Sequence, residues 1–185
     1  MDPHSSRVRR LTDPVSIAGY TGDESSSFHG SAEAVVLPRN VDEVCEVVAA
    51  AQATRTPLTV SGAGTSITGS RVPDGGIVLS VERLRNTRAI GWEGVLGGPP
   101  GMRRDTWIDL AGPDHAILLS PDRDRALVPA GVRLSEIDRL LAAEGRLYPP
   151  DPTEMTAMLG GTIATNASGA RSYRYGSTRN WIDAL

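Results

Sequence analysis

The chain of 185 residues contains no lysine; all 19 of its Lys+Arg positions are arginine. That removes Schiff-base chemistry, pyridoxal phosphate enzymes included, and any phosphate site that depends on a lysine. A single cysteine, Cys45, excludes an internal disulfide and a cysteine zinc site and fits a reducing compartment. No apolar run is long enough to span a bilayer. The amino end, Met1 to Arg10, is polar with no apolar core, which is not the pattern of a signal peptide, so a cytoplasmic protein is expected. A net charge of −3 gives no general attraction to nucleic acid or to an anionic membrane. The three histidines, His4, His29 and His115, have no metal-ligand spacing with one another or with Cys45, so no metal is expected. No Ser/His/Asp or paired-carboxylate arrangement emerges.

What is present is ordinary for a soluble globular protein: 39% hydrophobic and 22% charged residues, in a chain long enough for one domain or two small lobes. Residues 1–30 are polar and read as an arm or a few loose turns. Ala32 to Leu37, closed by Pro38, reads as a strand. Val41 to Ala53 is the best helix: Val41, Val44, Cys45 and Val48 recur on one face, with Cys45 a buried inert thiol. Asn40 can cap it, and Asp42 and Glu43 suit the positive end of its dipole. Pro57 to Ser61 and Gly76 to Val81 read as further strands. Residues 86–114 have few periodic apolar positions and read as an extended loop or insertion. Ala116 to Leu119 and Ala126 to Pro129 flank a charged turn and read as a hairpin. Ser135 to Glu144 reads as a helix stopped by Gly145.

Two small-residue segments stand out. The first, Ser61-Gly62-Ala63-Gly64-Thr65-Ser66-Ile67-Thr68-Gly69-Ser70, directly follows a strand. Successive free N–H groups in such a loop can form an anion-binding nest, and the hydroxyls of Ser61, Thr65, Ser66 and Thr68 add donors. This suits a pyrophosphate. It is neither of the two familiar phosphate loops. Ser70-Arg71 stands where a Walker A loop needs Lys-Ser/Thr, and Ile67 occupies the third glycine of the dinucleotide fingerprint. Both of those loops also open a helix, whereas here Pro73, Gly75 and Gly76 lead into a strand. A flexible Gly/Ser surface loop remains the alternative.

The second segment starts at Tyr148-Pro149-Pro150-Asp151-Pro152 and continues through Gly160-Gly161-Thr162-Ile163-Ala164-Thr165-Asn166-Ala167-Ser168-Gly169. Thr153 can cap a short helix with Glu154 in its first turn. Two adjacent glycines would cost such a helix about 1 kcal/mol each. In return, a flat surface of small residues suits a planar ring, with Thr165, Asn166 and Ser168 able to bond its polar edges. Close packing inside the protein is the alternative. Arg171 and Arg174 flank the segment and could reach a phosphate or a carboxylate.

In sequence order, these pieces resemble a known family. They are Tyr20 to Ser25, Ala34 to Arg39, Ser61 to Gly69, Val72 to Ser80, Val128 to Val132, Tyr148 to Pro152, Gly160 to Gly169 and Arg174-Tyr175-Gly176. Together they resemble the FAD-binding domain of the vanillyl-alcohol oxidase, glycolate oxidase and D-lactate dehydrogenase family (FAD-linked oxidases, PCMH type), the glycolate oxidase and D-lactate dehydrogenase branch above all. The resemblance implies an α+β fold of two lobes with FAD between them. It divides the chain into an arm, 1–30, and an FAD-binding domain, 31–185, with an insertion at 86–114. It implies that Gly62 to Ile67, flanked by Ser61 and Gly69, hold the pyrophosphate. Asp151, Pro152, Thr156, Ala157, Gly160, Gly161, Thr165, Asn166, Ala167 and Ser168 would line the rest of the cofactor. Some relatives attach FAD through a histidine in the glycine loop; Thr65 stands in that place here, which implies non-covalent FAD.

The family's catalytic residues and substrate-binding cap lie beyond the point where this sequence ends, so the resemblance assigns no catalytic residue. It implies an oxidoreductase in which a D-2-hydroxy acid gives hydride to flavin. A cradle completed by a partner chain, another reaction on the same FAD fold, and an interaction protein without cofactor are the competing readings.

Overall fold

Short apolar runs, each closed by Pro, Gly or a polar turn, supply every long strand of this protein. A computed structural model describes residues 8–86, 107–110 and 117–185, and the chain divides into two units, Met1–Leu84 and Arg85–Leu185. In the first unit, β1 (Arg9–Leu11), β2 (Ala34–Leu37), β3 (Leu58–Ser61) and β4 (Ile77–Ser80) form a sheet of order β1-β2-β4-β3. β4 lies parallel to both β2 and β3, and β1 is antiparallel to β2. The helix α1 (Pro14–Ala18) follows β1, and α2 (Val41–Thr54) links β2 to β3. All of β2 and β4 is buried, the burial expected of central strands in a parallel sheet. Val36, Leu79 and Ala34 pack with Val47 and Ala51 of α2 on one face, while Val35, Leu37 and Val78 pack with Ile17 of α1 on the other.

Two expectations change here. Residues 8–30 are more than loose turns: Arg9 to Leu11 pair with Val35 to Leu37, and Asp13 caps α1 by accepting from the Ser16 N–H. The buried stripe of α2 is also rotated from the one the valines suggest. Glu43, Val47 and Ala51 point inward, whereas Val41 and Val48 are exposed and Cys45 is an exposed free thiol. The reason is an ion pair that periodicity alone does not see. Glu43 accepts from the Arg39 backbone N–H at 2.8 Å and from its guanidinium at 2.8 and 3.1 Å, while its own N–H donates to Asn40 Oδ1 at 2.8 Å. A carboxylate satisfied on all sides can occupy a core position that an unpaired one cannot.

In the second unit, β5 (Ile108–Asp109), β6 (Leu118–Leu119) and β7 (Ala126–Leu127) form an antiparallel sheet, and β6–β7 is the expected hairpin. Within the stretch read as an insertion, residues 107–110 contribute β5; its remaining residues from 87 to 114, together with His4, His115 and Ala116, lie outside the described residues. The helix α3 (Leu134–Ala143) buries Leu134, Ile137 and Leu141 against Ile117, Leu119 and Leu159. Three short elements follow: α4 (Leu159–Ala164), α5 (Ser172–Tyr175) and a 3-10 turn (Thr178–Trp181). The helix expected from Thr153 does not form. Glu154 instead accepts from the N–H and hydroxyl of Thr156 at 2.8 and 2.6 Å, holding residues 154–156 in a turn, and the helix starts only at Leu159.

Burial pushes the Glu43 carboxyl upward, but the Arg39 guanidinium and N–H and the charge of Arg83 outweigh it and hold it below the ordinary value. A depressed folded pKa means that its stabilisation is present above the unfolded carboxylate range and is lost as pH falls through the folded value. Glu43→Gln should therefore be less stable than the parent at neutral pH, with the gap narrowing below about pH 4. Urea unfolding at stepped pH values measures it; a constant gap would refute the assignment.

Candidate functional site

The parallel pairing of β3 with β4 places a loop, residues 62–76, at the carboxyl end of β3 with no helix to absorb its backbone groups. Among the described residues, none accepts a hydrogen bond from the backbone N–H of Gly62, Ala63, Gly64, Thr65, Ser66 or Ile67. Six consecutive backbone donors beyond the end of a strand, without acceptors among the described residues, are available to an incoming anion. The hydroxyls are less free than the sequence suggested. Ser61 is fully buried and its hydroxyl donates to Gly62 O at 3.3 Å, while Ser66 and Thr68 bond each other at 3.0 Å. The Thr65 hydroxyl has no partner among the described residues.

The segment Tyr20 to Gly30 holds this loop in shape. Asp23 Oδ2 accepts from the Gly69 N–H at 2.7 Å, and its Oδ1 accepts from the Ser25 hydroxyl at 2.6 Å. These bonds, the Ser25 hydroxyl first, hold the Asp23 carboxyl below its usual range. The Glu24 N–H donates to Ser66 O at 3.0 Å, and the Phe28 ring lies against Gly69. The Asp23 clasp spans 46 residues of chain, so no local periodicity could have announced it. Its only sequence trace is the piece Tyr20 to Ser25.

In the second unit the small-residue segment separates into packing and open backbone. A Cβ on Gly160 would lie 2.9 Å from the Ala130 methyl and 3.2 Å from its carbonyl oxygen, so this glycine is required by close approach. A Cβ on Gly161 would meet nothing within 4 Å. The two adjacent glycines therefore answer different needs, and Gly161 leaves a bare patch of backbone open to approach. Thr165 Oγ1 donates to Gly161 O at 3.0 Å, and Asn166 Oδ1 accepts from the Arg179 N–H at 3.0 Å. Thr165 and Asn166 are thus engaged within the fold. Ala167 O accepts from Thr178 through both its N–H and its hydroxyl, at 3.1 and 2.8 Å. The Ser168 hydroxyl has no partner among the described residues.

Pro152 pairs with Gly169 through an isolated antiparallel bridge, and Arg171 forms an ion pair with Asp151 at 3.2 Å. Arg174 lies over the Tyr175 ring at 5.3 Å. Arg171 is thus paired within the fold, while Arg174 is exposed and forms no ion pair among the described residues. Thr156 and Ala157 sit where the chain turns into α4, with Ala157 buried and its carbonyl accepting from the Leu134 N–H at 3.0 Å. No group of three or more His, Cys, Asp or Glu side chains arranged to hold a metal occurs among the described residues. No helix there is long and apolar enough to cross a membrane.

Known proteins resemble this chain in sequence and fold. The FAD binding domain family matches residues 32–185. The glycolate oxidase subunit GlcD of Bacillus subtilis is 27% identical over 168 residues, covering 90% of this chain and 30% of that protein. A D-lactate dehydrogenase of Archaeoglobus fulgidus is 31% identical over 152 residues, covering 82% of this chain and 28% of that protein. Among solved structures, a chitooligosaccharide oxidase superposes with a TM-score of 0.70 at 16% identity, over 96% of this chain and 32% of that one; at that identity the likeness concerns the fold, which is the α+β fold of the PCMH-type FAD oxidases. The chain spans about 30% of the length of the curated relatives it matches.

The two glycines of α4 can be tested against each other. Gly160→Ala should destabilise the chain by about 1–3 kcal/mol through overpacking on Ala130. Gly161→Ala should leave the fold as stable, or raise its stability by up to about 1 kcal/mol through helix propensity, while weakening flavin binding. Thermal melts and flavin titration of both variants measure this; a Gly161→Ala chain with unaltered flavin affinity would remove that residue from the site.

Proposed function

The chain belongs to the FAD binding domain family, and from that premise we propose that it is the flavin-holding module of an oxidoreductase acting on a D-2-hydroxy acid. The observation that carries the cofactor part is the run of six backbone N–H groups, Gly62 to Ile67, without acceptors among the described residues. A diphosphate is the part of FAD that such a loop would neutralise. Gly62 to Ile67, bounded by Ser61 and Gly69, are the residues proposed for it. Asp151, Pro152, Thr156, Ala157, Gly160, Gly161, Thr165, Asn166, Ala167 and Ser168 are proposed for the remainder of the cofactor, with the bare backbone at Gly161 and the free Ser168 hydroxyl its most direct contacts. The domain proposed at 31–185 with an insertion at 86–114 would also take in β1 and α1, which pack on its first sheet, and β5, which pairs within its second.

Bound flavin would supply the two-electron acceptor that no side chain of this protein can provide. The protein's own part is to hold the cofactor and exclude other ligands from the loop. Thr65 carries no imidazole, so attachment at that position would be non-covalent. The substrate class is argued from the relatives named glycolate oxidase subunit and D-lactate dehydrogenase. The groups that would bind such an acid and take its proton are proposed to lie in a cap outside these 185 residues, with the electron acceptor a separate partner. A cytoplasmic site of action is proposed on the single cysteine, which leaves no internal disulfide among these residues.

Purified chain mixed with FAD and then desalted should keep the flavin absorption bands and release them completely on denaturation. A folded protein that stays colourless would overturn the cofactor reading, and bands that survive denaturation would overturn the non-covalent one. For the substrate, the chain joined to its cap should show anaerobic bleaching of the flavin by glycolate or D-lactate. Bleaching by neither would remove the hydroxy-acid assignment while leaving the flavin module intact.

A further inference from the structure

One charged side chain near the glycine loop is unaccounted for by the fold. Arg71 is only 9% exposed. Its Nη2 donates to Gly19 O at 3.0 Å, and its Nε is buried with no hydrogen-bond partner. Among the described residues it forms no ion pair; Asp23 and Tyr20 are close enough only to act on it through their fields. Tyr20 is itself bound to Glu82, donating to Oε2 at 2.9 Å. A buried guanidinium that lacks a direct carboxylate partner is costly, and proteins keep such groups where a further charge completes them. The guanidinium lies directly against the backbone of Gly64: a Cβ there would overlap Nη1, and Gly64 also has φ +87°. A buried guanidinium with no ion-pair partner among the described residues therefore backs the middle of a run of six N–H groups that have no acceptor among those residues. Both features call for the same missing charge, which is negative and placed at the loop.

We infer that Arg71 is a positioning residue for the anion of this site: its buried positive charge, pressed against Gly64, biases the Gly62 to Ile67 loop toward a diphosphate over ligands with less charge. The inference rests on the flavin reading above and adds to it a cationic residue two positions after Gly69, where a Walker A loop would carry its Ser/Thr rather than its lysine. No bond is made or broken; the role is electrostatic, exerted through the loop backbone. Arg71→Lys keeps the charge in a smaller head, and Arg71→Met removes it at similar length.

The test titrates FAD, ADP and adenosine into the parent chain and both variants, with a thermal melt of each. Arg71→Met should bind FAD and ADP about tenfold or more weakly, while Arg71→Lys recovers most of that loss and adenosine shows no dependence on residue 71. A folded Arg71→Met chain that binds FAD like the parent overturns the inference, as does an equal loss for adenosine. Should Arg71→Met fail to fold, the Arg71 Nε–H resonance of the parent chain decides. It should move on adding ADP and not on adding adenosine, and a resonance unmoved by ADP overturns the inference. A parent chain that takes up no FAD at all sinks the flavin reading itself, a different result from a parent that binds while residue 71 makes no difference.

Discussion

Backbone donors removed from a sheet must be satisfied by something, and this structure depends on that constraint at one place. The chain leaves β3 at Ser61 and returns as its parallel neighbour β4 at Ile77. Parallel neighbours are usually joined by a helix, which uses up the backbone groups of the crossover. Here the return is a loop, and six of its N–H groups find no acceptor among the described residues. The glycines, the clasp from Asp23 and the buried Arg71 all act on that one loop. Positive φ at Gly64 and Gly69, the Gly69–Asp23 bond and the contact of Arg71 with Gly64 fix its course without a helix.

The rest of the first unit serves as the frame for that loop. β2 and β4 are buried along their whole length, α2 covers one face of the sheet and α1 lies against the other. The Arg39–Glu43 pair lets a carboxylate sit in the helix face that packs on the sheet. The second unit frames its own open patch in a different way. Gly160 lies so close to Ala130 that α4 is fastened down, and the next residue, Gly161, is left bare. One glycine secures the helix and the other keeps its backbone accessible.

Much of this was legible in the sequence, because the strands are short apolar runs with clear punctuation. The helix α2 extends one residue past its expected end, and Asn40 is the cap that its side chain suggests. The glycine loop was legible as a strand-to-strand connection, since Pro73, Gly75 and Gly76 forbid the helix that other phosphate loops open. What escaped depends on partners distant in sequence or on ion pairs. The buried face of α2 turned on Arg39 satisfying Glu43. The supposed loose arm became a strand through pairing with β2. Arg171 was spent on Asp151, and the turn at Glu154 displaced a helix that Thr153 could have capped. Arg71 entered the sequence reading only as part of the pair that breaks a Walker A motif; only the fold buries it.

The most direct measurement of the central claim is hydrogen–deuterium exchange of the peptide spanning Gly62 to Ile67, with and without FAD. If these N–H groups cradle the diphosphate, they exchange quickly in the free chain and become protected when flavin is retained, while the already paired strand β4 changes little. Flavin retained by the chain with no added protection in this peptide would contradict the account.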